Sequence, residues 1–222
     1  MDGNASVCPY ASWVTEPPGS HRGRYDPAVA EGKALWWYQS CMSEGCAHTR
    51  PASGGCDPSK TCTKGTWPSY MIDAPATFNR AMSWMSYAYD MHGELYWGVN
   101  AADRQSNSSW QDQWLAGGNG DGSLTYPGRT DEIGGSTFVP VASQRLKHIR
   151  DGLEDLELMY LAEARAGRDA VLAQVRRVVR TAYDFEHAPQ PMLAVRQALA
   201  QMATGAGAVE EAAAAESGLG PR

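Results

Sequence analysis

The stretch DAPATFNRAMSWMSYAYDMHGELYWGVN, residues 73–100, constrains the fold more than any other part of the chain. Asp73 and Pro75 open a helix in which Phe78, Met82, Met85 and Tyr89 recur at spacings of four, three and four, which makes one apolar face. His92 and Gly93 stop the helix, and the apolar run ELYWGVN follows with almost no linker. A helix joined so tightly to a strand is the mark of a βα repeat, and therefore of a parallel sheet. ALWWYQS, residues 34–40, supplies a second strand. It is short, aromatic and apolar, the pattern of a strand buried on both faces.

The rest of the chain arranges itself around these units. Residues 1–24 are rich in Pro and Gly and read as a loop. Asp26–Gly32 predicts a short helix, with Asp26 as its N-cap and Pro27 at the first helical position. Residues 41–67 form a long cysteine-bearing loop, and residues 101–137 a second long loop, polar and Gly-rich. From Ser143 to Ala166 a strong helix carries Leu146, Ile149, Leu153, Leu156 and Tyr160 as one apolar stripe. Gly152 interrupts it at a cost of about 1 kcal/mol relative to Ala, which points to close packing there. Two more helices are predicted at 168–185 and 191–203, separated by Pro189 and Pro191, before a low-complexity tail at 204–222 that reads as disordered.

Composition narrows the function. The chain carries 8 Trp and 10 Tyr but only 3 Phe, and aromatics with a polar handle are favoured where one edge stays wet. A net charge of -6 argues against nucleic acid or an anionic membrane as partner, since both reward clustered Lys and Arg. A neutral ligand fits better. No run is long and apolar enough to span a membrane, and the opening MDGNASVCPY has neither the basic start nor the apolar stretch of a signal peptide.

Four of the 5 cysteines, Cys41, Cys46, Cys56 and Cys62, crowd into the loop at 41–67. They lack the C-x2-C knuckle of most structural zinc sites, so two disulfides are the favoured reading, with free thiols and zinc as alternatives. The sequons at Asn4 and Asn107 point the same way, towards a secreted or lumenal protein. His48, in the same loop, reads as solvated.

In a parallel α/β barrel the active site is built at the carboxyl ends of the strands. Trp97 and Asn100, just after the second strand, and Trp36, Trp37 and Tyr38 in the first are therefore candidates to offer ring faces and an amide to a sugar. The competing reading is that strand aromatics fill the core. Asp121, within GNGDG, suggests a calcium ligand, but the spaced acids of an EF-hand loop are missing and a turn is the better reading. Asp131-Glu132 invites assignment as a catalytic pair, yet it lies far beyond the strand in a polar loop. Arg145, Arg150, Glu154, Asp155 and Glu157 read as structural, with Arg150 and Glu154 one helical turn apart. The chain holds no Ser-His-Asp set, phosphate loop or HExxH site.

Taken in order, WWYQSC, PSYMIDAP with RAMSW, LYWGVN, GDGSLTYPG and VASQRLKHIRDGLEDLELMYL resemble the carboxyl-terminal part of the glycoside hydrolase family 123 catalytic domain. The resemblance runs from about Cys8 to Ala164 and implies an α/β fold, the incomplete carboxyl-terminal portion of a (β/α)8 TIM barrel with extra C-terminal helices. A complete barrel usually needs about 250 residues. Residues 1–166 are the barrel part, with 41–67 as an insertion, followed by helices at 167–203 and the tail at 204–222. The resemblance further implies a retaining β-N-acetylgalactosaminidase that uses its substrate's acetamido oxygen as nucleophile, with no cofactor and no metal. The partner is an N-acetylhexosamine-containing glycan. An Asp steadies the oxazolinium intermediate and a neighbouring Glu is the acid/base, one of the exceptions to the usual two-carboxylate scheme. That pair belongs to the middle of the family's barrel, and Asp131-Glu132 does not match it, so no catalytic residue carries over. Trp37, Tyr38, Asp73, Tyr96, Trp97 and Asn100 are expected to touch or support the substrate. The alternative is a non-catalytic carbohydrate-binding or scaffold module of the same fold.

Overall fold

The computed structural model describes residues 22–39, 68–105, 108–115, 118–182 and 184–205. The four clustered cysteines, His48, the sequon residues Asn4 and Asn107 and the tail beyond residue 205 lie outside the described residues.

After a 3-10 turn at Arg22–Tyr25, helix α1 spans Asp26–Ala30. Asp26 is its first residue rather than its cap, a place taken by Tyr25 without a side-chain bond. Strand β1 is Trp36–Gln39, helix α2 is Ala76–Ala88 and strand β2 is Gly93–Tyr96. The two strands pair in parallel, with Trp37 opposite Glu94 and Gln39 opposite Tyr96. Just before the strands begin, His92 N–H donates to Leu35 O at 2.7 Å and Leu35 N–H to His92 Nδ1 at 3.0 Å.

Burial alternates along β1, which is not covered on both faces as its apolar run suggested. Leu35, Trp37 and Gln39 are buried, whereas Trp36 is 39% exposed and Leu95 on β2 is 47% exposed. Helix α2 is the correction in the opposite sense. Every residue from Thr77 to Ala88 except Arg80 is buried, because small residues (Ala81, Ser83, Ser86, Ala88) let neighbours approach on all sides of the apolar face that the spacing showed. The helix ends at Ala88, earlier than His92. Asp90 takes the left-handed conformation at φ 56°, and Met91 N–H bonds back to Ser86 O at 2.8 Å, closing the last turn.

The expected loop at 101–137 is more structured than its polarity suggests. It holds α3 (Ala101–Gln105), the short pair β3 (Trp114–Leu115) and β4 (Gly118–Asn119), strand β5 (Thr125–Tyr126) and the single-turn α4 (Thr130–Ile133). β5 pairs antiparallel with β6 (Val141–Ala142), immediately before the long helix α5 (Gln144–Ala166). Ser143 caps α5, its hydroxyl accepting from Leu146 N–H at 3.2 Å.

The apolar stripe expected to bury α5 does so only in part: Leu146, Ile149 and Leu156 pack, partly buried, against the core. Leu153 and Tyr160 are 52% and 47% exposed, and the buried positions are Arg145, Gly152, Asp155, Met159 and Ala162. Polar residues can face inward because each is satisfied there. The Asp155 carboxylate accepts from Arg80 Nη2 at 2.8 Å, Arg196 Nε at 2.7 Å and Trp84 Nε1 at 2.9 Å. Gly152 supplies the close approach its position implied. A Cβ there would stand 2.9 Å from Arg80 O and Ser83 Oγ, on α2.

The helix expected at 168–185 is shorter. α6 covers Arg168–Val175, turns follow, and Val179 and Phe185 form an isolated bridge. α7 covers Pro189–Thr204, with both prolines in its first turn, where a missing N–H is tolerated. α2, α6 and α7 all pack on α5 or one another, and their apolar residues merge with Leu35 and Trp37 into one core. The fold is mixed α/β with three two-stranded sheets among the described residues. No described helix is long and apolar enough to cross a membrane.

Candidate functional site

Chain geometry brings two loops over the carboxyl end of β2. One is the segment 68–75 leading into α2, and the other is the 118–124 turn. They are zipped together by Ile72 N–H on Asn119 O at 2.9 Å and Asn119 Nδ2 on Asp73 Oδ1 at 3.1 Å.

At the centre is Asp121, fully buried. A single oxygen, Oδ1, accepts from Tyr96 Oη at 2.9 Å and from Trp97 Nε1 at 2.8 Å. Gly122 N–H donates in turn to Tyr96 Oη at 2.6 Å. Two consecutive strand-end aromatics are thus fixed by one carboxylate. The flanking glycines make this possible: Gly120 and Gly122 have φ of 82° and 69°, values that side chains resist. A Cβ on Gly120 would fall 2.6 Å from Arg145 Nη1, and one on Gly122 would enter the Trp97 ring. The indole therefore lies against bare backbone on one side and is tied through its N–H.

Arg145, in the first turn of α5, holds the frame. Its guanidinium donates to Tyr70 O at 2.8 Å, Gly120 O at 2.7 Å, Ser123 O and Gln113 Oε1 at 3.2 Å. Burial pulls its pKa down, while Tyr96, Tyr126 and Asp121 act against that shift. A planar fork of donors suits a cluster of carbonyls better than an ammonium does.

A second carboxyl sits beside the first. Glu94 accepts from Tyr70 Oη at 2.7 and 2.8 Å on its two oxygens, and the Tyr70 ring stands edge-on to Tyr96, centroids 5.1 Å apart. Burial pushes the Glu94 pKa up from 4.5 to about 7, against the lowering effect of the Tyr70 hydrogen bond. Both phenols are raised well above 10, Tyr70 by burial and then Glu94, Tyr96 by burial and then Asp121. They remain protonated donors. The cluster can hold a ring face in a fixed orientation and keep a titratable proton near neutrality.

The structure distributes the expected site residues unevenly. Tyr96 and Trp97 meet in the Asp121 cluster. Asp73, exposed, joins it through Asn119, and Asn100, also exposed, bridges Ser123 through its backbone. Trp37 is fully buried on the helix-facing side of β1, tilted against Tyr89 at 6.4 Å, and Tyr38 is half-buried on the opposite face. Tyr70, Glu94, Asp121 and Arg145 were not singled out for the site by sequence reasoning. An acid within an otherwise apolar strand was the available signal for Glu94, and paired glycines around an Asp the signal for Asp121. Asp131 and Glu132 are exposed on α4, with Glu132 accepting from Ser108 Oγ at 2.7 Å. Among the described residues no group of three or more His, Cys, Asp or Glu is placed to hold a metal. An open apolar groove of about 330 Å³, lined by Ala142, Leu146, Ile149 and Leu153 with Lys147 and Arg150, lies on α5 and shares no residue with the cluster.

A family comparison supports a glycoside hydrolase-like function for the part of the chain that carries these clusters. Residues 54–162 match the family model of the glycoside hydrolase 123, catalytic domain. This segment contains every residue of the Asp121 and Glu94 clusters. No curated protein matches the chain.

Proposed function

We propose that the chain is the carboxyl-terminal part of a (β/α)8 glycoside hydrolase barrel of the retaining β-N-acetylgalactosaminidase type, and that it contributes the aromatic wall of the sugar site. The observation that carries this is Trp97, whose indole is fixed by Asp121 and by the bare backbone of Gly122 at the carboxyl end of a parallel strand. Such ends are where α/β barrels place their sites. Support for the barrel comes from the sheet face bearing Trp36 and Leu95, which is apolar yet uncovered among the described residues, whereas parallel sheets are ordinarily covered on both sides.

On this reading Tyr96, Trp97, Asp73 and Asn100 meet or position the sugar, Trp37 supports them from the core, and Tyr38 lies on the face towards further strands. The family's mechanism uses the substrate's acetamido oxygen, an Asp and a Glu. Neither role falls to Asp131-Glu132, which is exposed and bonded to Ser108 instead of the cluster. Residues 1–166 form the barrel part, 167–203 a helical extension and 204–222 a tail. The protein is secreted or lumenal. The second reading, a carbohydrate-binding module without catalysis, is favoured by the same placement of Asp131-Glu132, since among the described residues no consecutive Asp-Glu pair joins the aromatic wall and its two carboxyls, Asp121 and Glu94, are each held by its own aromatic side chains.

A glycan array with the purified chain tests both readings. Binding to β-linked N-acetylhexosamine glycans, weakened about tenfold in Trp97→Ala, or roughly 1.4 kcal/mol, is expected. Binding to no glycan rejects both. Hydrolysis of a chromogenic β-N-acetylgalactosaminide by the chain alone shows that an acid pair is present and rejects the binding-module reading.

A further inference from the structure

A second aromatic ring in the same loop system is exposed and yet immobilised. Trp110 is 46% exposed. Its Nε1 donates to Pro127 O at 2.8 Å, and its ring lies over Tyr126 with centroids 4.5 Å apart and planes 31° from parallel. The base beneath it is pinned: Ser108 and Ser109 are buried, Ser108 Oγ accepts from Trp110 N–H at 3.2 Å and donates to Glu132, and Ser109 N–H donates to Asp103 Oδ1 at 2.9 Å. Satisfying the indole N–H within the loop leaves its face, and not its polar edge, to meet a ligand. An indole held in this way loses little conformational entropy when a sugar ring settles on it.

Trp110 and Trp97 pack on the same short strip of backbone. Trp97 rests on Gly122 and Trp110 on Tyr126, four residues further on, so the Cα atoms beneath the two rings are at most about 14 Å apart. That strip is rigid, because Ala101 N–H bonds Gly122 O at 2.8 Å and Leu124 and Thr125 N–H bond Val99 O at 2.6 and 3.2 Å. The surroundings of Trp110 choose the occupant. Asp112, Asp131 and Glu132 outnumber Arg129 among the exposed charged residues flanking Trp110 and Pro127 in sequence. This acidic rim disfavours anionic lipid, nucleic acid and acidic peptides, while carboxylates accept hydrogen bonds from neutral sugar hydroxyls.

We propose that Trp110, stacked on Tyr126, is a second sugar-stacking position, so that the protein takes an oligosaccharide reaching from Trp97 to Trp110 instead of a single terminal sugar. The proposal rests on the carbohydrate reading above and extends it.

Calorimetric titration of the full chain with neutral β-linked N-acetylhexosamine glycans of one to four sugars tests it. Wild type should bind the four-sugar glycan at least tenfold more tightly than the single sugar. Trp110→Ala should remove that gain and leave the single sugar's affinity unchanged, Trp110→Phe should recover most of it, and Trp97→Ala should weaken every length. Equal affinity of wild type for all lengths, or a Trp110→Ala profile identical to wild type, overturns this proposal and leaves the carbohydrate reading standing. Binding of no glycan by wild type overturns both. Light scattering of the same samples adds a further arm: a dimer that Trp110→Ala converts to monomer assigns the ring to a protein contact and overturns the proposal.

Discussion

Replacing Glu94 by Gln isolates a carboxyl whose proton affinity the fold moves into the neutral range. The amide keeps an acceptor for Tyr70 Oη and nearly the same shape, so the packing against Tyr70 and Tyr96 is preserved. Raising a carboxyl from 4.5 to about 7 corresponds to about 3 kcal/mol, at 1.36 kcal/mol per tenfold change in proton affinity. Because the residue is only partly buried, solvent reduces the expected effect to about 2 kcal/mol. The sign follows from proton uptake: the folded state holds the proton more tightly than the unfolded state. This contribution is fully present below pH 4.5, is lost as pH rises through about 7, and is constant above. Urea unfolding of wild type and Glu94→Gln from pH 4 to 8 reads it as a difference in which every other titration cancels. The variant should match wild type near pH 4 and exceed it by about 2 kcal/mol at pH 8. A difference independent of pH would show that Glu94 titrates like a solvated acid and would refute the burial argument.

Gly152→Ala should destabilise the protein by about 1–3 kcal/mol in thermal melts, even though Ala is the better helix former, because the new methyl meets the backbone of α2 at Arg80. Asp155→Ala leaves Arg80, Arg196 and the Trp84 indole without their shared acceptor and should cost about 3–5 kcal/mol in chemical denaturation. Arg196→Ala, which removes a partner that is 42% exposed, should cost less than about 1 kcal/mol in the same measurement.

What the sequence made legible was local. The tight junction from α2 into β2, the parallel partner in residues 34–40, the start of α5 near Ser143 and the close approach at Gly152 each depend on neighbours within a turn or on one residue type. The inner face of α5 was legible only in part, at Leu146, Ile149 and Leu156, because a count of apolar residues assumes that charge stays outside. Asp155 and Arg145 go inside because their partners sit on α2, α7 and the loops, more than twenty residues away in sequence. Trp36 and Trp37 differ only in strand phase, which a four-residue strand cannot announce. The glycines around Asp121 signalled a turn with positive φ, but its burial depends on donors 24 and 25 residues upstream, and no motif records that pairing.

The same long-range bonds explain how a site built on loops can be stiff. Two separate connections, 68–75 and 118–124, meet over β2, and ordering such segments opposes folding through chain entropy. Arg145 offsets this from a helix whose position is fixed independently by Gly152 and Asp155. Its guanidinium reads Tyr70 O on one loop and Gly120 O and Ser123 O on the other, so the spacing between the loops is set by a rigid planar group and not by the loops themselves. The spacing places Asp121, Asp121 fixes the Trp97 indole, and the orientation of that ring is therefore determined by the packing of α5. A substitution at Arg145 that kept the charge but lost the fork would leave the cation and free the ring, which is why shape rather than charge is the property the site takes from this residue.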